Sequence, residues 1–373
     1  MNFSYWEHKT WLSNIDFAVV GSGIVGLSCA LSLRKKYPKS KIVVFEKGIL
    51  PSGASTKNAG FACFGSMSEI LDDLHSHSEE EVIQLVRDRA MGLQLLRENL
   101  GDSTIDFQQH GGFELFTEID SELFDNCIEK MPYVNGLLKS VFLGQNEVFS
   151  EKNKPFSFKK VQNSVIFNHL EGQIDTGKMM NALIQKCVKN DIFILNSCEI
   201  TSFLSKNDQI SFILNKSVET SAKKLFIATN GFAKQFIQQD VQPARAQVLI
   251  TKPIKNLAIK GTFHLDRGYY YFRNIDDRIL FGGGRHLDFK TEETSKLGLT
   301  ELIQNKLEEI LQTTILPQTA FEIETRWSGI MGVGARKKPI VKELTPNVFC
   351  GVRLGGMGVA IGSSLGKQLA ELA

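Results

Sequence analysis

Between Ile15 and Glu46 the chain runs from an apolar stretch through a glycine-rich turn and a helical segment to a second apolar stretch. This order constrains the fold more than any other feature of the sequence. Ile15–Val20 has the length of a buried strand. Gly21-Ser22-Gly23-Ile24-Val25-Gly26 then reads G-x-G-x-x-G, and apolar and small residues recur at helical spacing from Leu27 to Lys36, with Pro38 closing the segment. A second strand, Lys41–Phe45, ends at Glu46, which stands 20 residues beyond Gly26. Gly21 permits a tight exit from the strand, Gly23 lets a pyrophosphate approach the backbone, and Gly26 lets the helix lie close to the strand. The helix start presents free N–H groups and a positive dipole end. Glu46 is placed to accept hydrogen bonds from a ribose diol. A plain strand–turn–helix with a solvated Glu46 is the alternative. The preceding strand, the following helix and the acid at that distance favour a dinucleotide site.

The chain has 373 residues, which implies two domains, and its 42% hydrophobic content is that of a soluble globular protein. A net charge of +2 without a basic block argues against nucleic acid. No run approaches the roughly 18 apolar residues of a membrane span. The first residues, with Trp6 and nearby Trp11, lack the pattern of a secretory signal and read as a surface lead-in. The six cysteines form no C-x-x-C pair, and no histidine stands near them at zinc spacing. Reduced thiols in a cytoplasmic protein follow, with no metal site expected.

Beyond Glu46, residues Pro51–Ala62 form a small, polar, acid-free loop suited to surround phosphate or a flavin ring. Cys63, just after it, reads as a small buried hydrophobe, because no basic partner is evident. Helices are predicted from Ser78 to Leu100, over Ser121–Leu138 and over Lys178–Lys189, and strands over Ile105–Gln109 and Gly112–Thr117. Strands follow at Ile192–Leu195, Glu199–Leu204, Ile210–Leu214 and Lys224–Ala228, the last running into Thr229-Asn230-Gly231. Pro243–Lys252 is strand-like, and Gly268–Arg273 with Arg278–Gly282 reads as a hairpin turning across Asn274–Asp277. A helix is predicted around Leu299–Leu311. Arg326–Ile330 precedes a strand ending near Val341, and Asn347–Gly351 is a short strand. A second glycine-rich turn, Gly355-Gly356-Met357-Gly358, then opens a last helix through Leu372. Two strand-to-helix glycine turns more than 300 residues apart suit a long dinucleotide with a ring to hold.

These residues together resemble the FAD-dependent D-amino-acid oxidase-like superfamily, which includes glycine and sarcosine oxidases, D-amino-acid dehydrogenases and γ-glutamylputrescine oxidases. The resemblance spans nearly the whole chain. It rests on Gly21–Gly26 with Glu46, the Ser55–Gly60 loop, Ala228–Gly231, Trp327-Ser328-Gly329 and Gly355–Gly358. It implies an α/β fold, α+β overall: a Rossmann-like FAD-binding domain with an inserted mixed, largely antiparallel β-sheet substrate domain. The expected division places residues 1–75, 150–240 and 325–373 in the FAD domain and residues 76–149 and 241–324 in the substrate domain. It also implies non-covalent FAD, held by Gly21, Ser22, Gly23, Ile24, Val25, Gly26, Glu46, Lys47, Ser55, Thr56, Asn58, Ala59, Gly60, Ile200, Thr229, Asn230, Gly231, Trp327, Gly329, Gly355, Gly356, Met357, Gly358 and Val359.

The departures concern substrate. Many α-amino-acid members of the superfamily carry W-x-G-L-R-P, whose Arg grips the substrate carboxylate, and Met331 stands at that position here. Sarcosine oxidase-like members carry a Lys shortly after the last glycine turn, where Ala360 stands, and their flavin-linking Cys falls near Gly329. Arg353 and Arg273 remain as candidate carboxylate ligands, with Tyr271 as a candidate substrate wall and His286 read as a solvated loop histidine. The implied activity is oxidation of a C–N bond in an amine or amino acid by hydride transfer to flavin N5. The imine formed is then hydrolysed, and oxygen or another acceptor reoxidises the flavin. Met331 and Ala360 tilt the reading towards an amine without an α-carboxylate. A non-catalytic flavin-binding protein and an NAD-dependent dehydrogenase are the rivals.

Overall fold

The computed structural model describes residues 3–145, 147–206 and 209–373. Its first sheet is built on the strands read above. Ile15–Val20 (β1) pairs in parallel with Ile42–Phe45 (β2), and β2 with Phe193–Leu195 (β3). On its other side β1 pairs in parallel with Val218–Ile227 (β4), and β4 with Val348–Val352 (β5). Val20 is level with Phe45 and with Ile227, and Ile227 with Cys350, so the strands end along one edge. Gly21, Glu46, Ala228 and Arg353 all follow that edge, where ligands of such sheets sit. An antiparallel strand, Ile340–Thr345, and the hairpin Ile200–Lys206 with Gln209–Leu214 extend the sheet.

Three helices matter for the site: Ile24–Lys36 (α1), Glu79–Leu100 (α2) and Gly358–Glu371 (α3). Ser78 and Glu81 form a reciprocal cap at the start of α2, and Gly101 ends it at φ 86°. α1 packs between the first sheet and α3, with Leu27, Cys29, Ala30 and Leu33 fully buried. The approach of α3 to α1 is set by a missing side chain. A Cβ on Gly366 would stand 2.5 Å from the Val25 carbonyl oxygen and 2.8 Å from the Cys29 nitrogen.

The second sheet runs in the order Ile323–Val333, Gln242–Thr251, Arg278–Gly283, Tyr270–Ile275, Thr262–Leu265, Gly112–Leu115, Ser164–Asn168, Phe149–Asn153. All its pairings are antiparallel except that of Thr262–Leu265 with Gly112–Leu115. Its core is aromatic. Phe263 stacks on Phe272 with centroids 4.5 Å apart and on Phe113 at 5.1 Å, and Phe158 and Phe281 close the cluster. Arg245 makes a two-pronged ion pair with the fully buried Glu292 at 2.9 and 2.7 Å, and Gln247 bonds to the same carboxylate. The sheet takes Phe149–Asn153, Ser164–Asn168 and Ile323–Val333, all assigned by sequence to the FAD domain in whole or in large part.

The structure differs from the sequence reading in several local ways. Ile105–Gln109 is not a strand: Asp102–Ile105 is a helical turn, Asp106 takes a left-handed φ of 52°, and Gln108 alone of that run bridges to Gln173. The hairpin strand continues to Ile275 and turns at Asp276-Asp277, both at positive φ. Arg326–Ile330 lies inside one strand, Ile323–Val333, and a separate strand begins at Ile340. Trp6 and Trp11 are exposed, as expected of a surface lead-in. Among the described residues no helix is long and apolar enough to cross a membrane.

If the close contact at Gly366 sets the position of α3, Gly366→Ala should lower stability by about 1–3 kcal/mol. The checks are a shifted urea midpoint and an unchanged slope.

Candidate active site

The ends of β1, β4 and β5, the 51–63 loop and one face of the second sheet enclose a cavity of about 580 Å³. Gly21 turns out of β1 at φ 101°, and a Cβ on Gly26 would stand 1.9 Å from the Gly21 carbonyl oxygen. These two glycines let α1 start directly behind the strand. Ser55 Oγ accepts from Ile24 N at 3.0 Å, tying the loop to the first turn of α1. Gly23, Ile24 and Val25 face the cavity, so the start of α1, whose first N–H groups have no partner within the helix, borders it.

The second glycine turn reaches the same cavity from the other end of the chain. Asn230, at φ 44°, accepts from the backbone N–H groups of Arg353 and Leu354 through Oδ1 at 3.1 and 3.2 Å. Gly355 N donates to Gly332 O at 2.9 Å. Together these bonds fix the loop that begins α3. Gly355 and Gly356 line the cavity, and a Cβ on either would meet no atom within 4 Å, so these positions open onto empty space. The N-termini of α1 and α3 therefore border one cavity, a paired arrangement of positive dipole ends that suits an anionic dinucleotide.

Of the residues assigned to the cofactor by sequence, Gly21, Gly23, Ile24, Val25, Glu46, Lys47, Ser55, Asn58, Ala59, Gly60, Ile200, Thr229, Asn230, Gly329 and Gly355 to Val359 line the cavity. The others hold the wall from behind. Ser22 is fully buried and donates twice to Glu46 Oε2, from N at 3.1 Å and from Oγ at 2.8 Å. Glu46 Oε1 takes Gly48 N and Ser52 Oγ, both at 2.9 Å. Protein donors thus fix this carboxylate at the end of β2. Thr56 donates its hydroxyl to Pro51 O at 2.7 Å, and Gly231 and Gly26 are packed against backbone. Trp327 donates Nε1–H to Lys57 O at 3.0 Å and buttresses the loop. Thr229 Oγ1 is buried without a partner among the described residues, an open hydrogen-bonding position on the cavity wall.

The substrate candidates divide sharply. Arg353 is committed elsewhere. Its guanidinium donates to Lys338 O at 3.0 and 2.8 Å and to Asp240 O and Oδ2 at 2.9 and 3.0 Å, which holds its backbone at a left-handed φ of 66°. Arg273 is 2% exposed, lies off the cavity wall, and gives its guanidinium to the carbonyls of Ala59, Ile174 and Asn274. The two arginines expected to grip a carboxylate are therefore framework residues.

Tyr271 and half-buried Met331 do line the cavity. The Tyr271 ring packs over Gly282 and edge-on to Phe61, with centroids 5.6 Å apart. Burial pushes its phenol up to about 12. His286 sits off the wall, paired with Asp266 at 3.2 Å.

Sequence reasoning missed three residues. Arg285, at the end of the strand Arg278–Gly283, lines the cavity half-buried with its guanidinium 4.5 Å from the Phe289 ring centroid, and no carboxylate pairs with it among the described residues. The Gly282-Gly283-Gly284 run before it was the available signal. His264 faces the cavity and Glu171 lies behind it, with His264 Nε2 and Glu171 Oε2 3.1 Å apart. Burial works against the His264 charge, but Glu171, joined by Glu69 and Glu114, carries the group up to about 9. The pair stands next to Cys63, whose thiol burial, then Glu171 and Glu69, push well above its ordinary value. Cys63 thus has an imidazole neighbour 201 positions away in sequence, which local spacing could not show.

Gly356→Val tests the cavity directly. The added side chain meets open space in the protein, so the melting temperature of the flavin-free protein should hold. Flavin affinity should fall by about 1–3 kcal/mol, read by titration.

Comparison with known proteins agrees with this geometry. The model of a family described as FAD-dependent oxidoreductase, DAO, matches residues 16–372. The probable oxidoreductase OrdL of Haemophilus influenzae is 19% identical over all of this chain and 89% of its own length. Glycine oxidase from Geobacillus kaustophilus superposes with a TM-score of 0.77 at 18% identity, covering 96% of this chain and 94% of its own. L-proline dehydrogenase from P. horikoshii gives 0.75 at 18% identity over 96% and 93%. The two-sheet fold is that of these enzymes, and the chain belongs to the DAO family of FAD-dependent oxidoreductases.

Proposed function

We propose that this enzyme oxidises the C–N bond of an amino or imino acid, with the substrate lying between Tyr271 and the glycine turn of α3 and its carboxylate on Arg285. The observation that carries this reading is the unpaired, half-buried Arg285 in the cavity that both helix N-termini border. A carboxylate taken from water needs a charge partner there, and Arg353 and Arg273 are spent on the framework. The structural neighbours support the substrate class, since they include a glycine oxidase, an L-proline dehydrogenase and an iminodiacetate oxidase.

FAD, when bound, supplies the hydride acceptor. The chain's own residues orient and exclude. Arg285 fixes one end of the substrate. Tyr271 and Phe61 wall off water from the α-carbon, which is the entropic and desolvation part of catalysis. The substrate nitrogen reacts as the neutral amine, so the enzyme needs no strong base if it binds that form. The start of α3 favours negative charge beside it. The product imine hydrolyses in solvent. The six unpaired thiols fit a cytoplasmic enzyme.

A second reading, an amine without a carboxylate, draws on Met331, an apolar cavity side chain where many α-amino-acid members of the superfamily carry an arginine.

Anaerobic addition of amino-acid and amine pools to the purified yellow protein tests the proposal. Flavin absorbance should bleach with the acids. Arg285→Ala should then raise KM for the acids by roughly 10- to 100-fold, the worth of about 1.5–3 kcal/mol for a hydrogen bond to a charge, and leave flavin content intact. Bleaching by amines alone, untouched by the substitution, would select the second reading. No bleaching by any pool would overturn both.

A further inference from the structure

Beside Tyr271 the cavity wall carries donors that the proposed reaction does not use. Cys63 Sγ, a carboxylate oxygen of Glu171 and a ring nitrogen of His264 lie within 4.8 Å of one another, and all three residues are buried. They come from three separate parts of the chain: the end of the 51–63 loop, the residue before Gly172, and the strand Thr262–Leu265.

The carboxylate is built into place. A Cβ on Gly112 would stand 1.8 Å from Glu171 Oε2, so only a glycine there leaves it room. Oε2 accepts from Thr262 Oγ1 at 2.8 Å and meets His264 Nε2 at 3.1 Å. Oε1 is buried and has no hydrogen-bond partner among the described residues. A hydrogen-bonded Glu–His pair accounts for Oε2 but leaves Oε1 bare, at the desolvation cost of an unsatisfied charged group.

We propose that Cys63, Glu171 and His264 form a binding site for a divalent cation of the zinc class, with its remaining coordination position open to the cavity. Sulfur, imidazole nitrogen and carboxylate oxygen are the donors zinc takes, and three protein ligands with one open position make a complete half-exposed site. A thiolate in the set disfavours magnesium and calcium, which prefer oxygen. The Thr262 hydroxyl on Oε2 orients the ligand from behind. On binding, the Cys63 thiol proton and the proton held between His264 and Glu171 pass to solvent in exchange for the ion. Cys63 and His264 both face the cavity, so the ion can exchange.

The test uses reduced, chelator-treated holoenzyme titrated anaerobically with Co²⁺. One equivalent should bring up tetrahedral d–d bands at wavelengths beyond the flavin absorption, and Zn²⁺ should then abolish them. Cys63→Ala leaves the other five cysteines and should lose the signal. His264→Gln should weaken binding by more than the roughly 10- to 100-fold cost of losing an outer-shell partner. An unchanged flavin spectrum and melting temperature show that each variant folds. Should His264→Gln fail to fold, the wild-type titration and Cys63→Ala decide. Absence of tetrahedral bands in the wild type, or bands that persist in Cys63→Ala, overturns the proposal.

Discussion

The missing Cβ of Gly26 lets the first turn of α1 touch the carbonyl of Gly21, and the rest of the site depends on that contact. A helix that starts this close to the strand end presents its N–H groups at the sheet edge rather than one turn away from it. α3 repeats the device against α1 through Gly366, so its own N-terminus comes to the same edge from the far end of the chain. Parallel pairing of β1, β2, β4 and β5 in level register supplies the flat edge on which both helices converge. A packing constraint in the core thereby becomes an electrostatic property of the cavity.

Polar side chains around the cavity mostly hold loops. Glu46 gathers Ser22, Gly48 and Ser52. Asn230 ties the end of β4 to the turn before α3, and Arg353 clamps that turn to Asp240 and Lys338. Arg273 collects three carbonyls from the 51–63 loop, the segment before Thr176 and its own strand. Loops carry many backbone groups that lack ladder partners, and a five-donor guanidinium satisfies several at once. Burying it there costs desolvation that the carbonyls offset, and the result is a rigid wall for a ligand that must be held in one orientation.

The sequence made the first sheet and the cofactor-facing edge legible because their signals are local. Gly21–Gly26 sits between a strand and a helix, and Gly355–Gly358 does the same. Most of the expected loop residues line the cavity, while Ser22, Gly26, Thr56, Gly231 and Trp327 stand behind its wall. What a side chain touches depends on partners hundreds of positions away, and this is where reading by type failed. Arg353, a candidate carboxylate ligand by its place near the glycine turn, pairs instead with Asp240. Cys63 looked inert until the second sheet brought His264 to it. Ile105–Gln109 has strand-like residues, but the left-handed Asp106 breaks the extended run.

We infer that one FAD spans the cavity, its ADP half on α1 and Glu46 and its ring against the α3 turn. Competition between ligands in flavin-free protein tests it most directly. On this account ADP alone binds at one site per chain and is displaced by FAD, which binds far more tightly because it engages both helix starts. ADP that fails to bind, or that binds without competing with FAD, would contradict it.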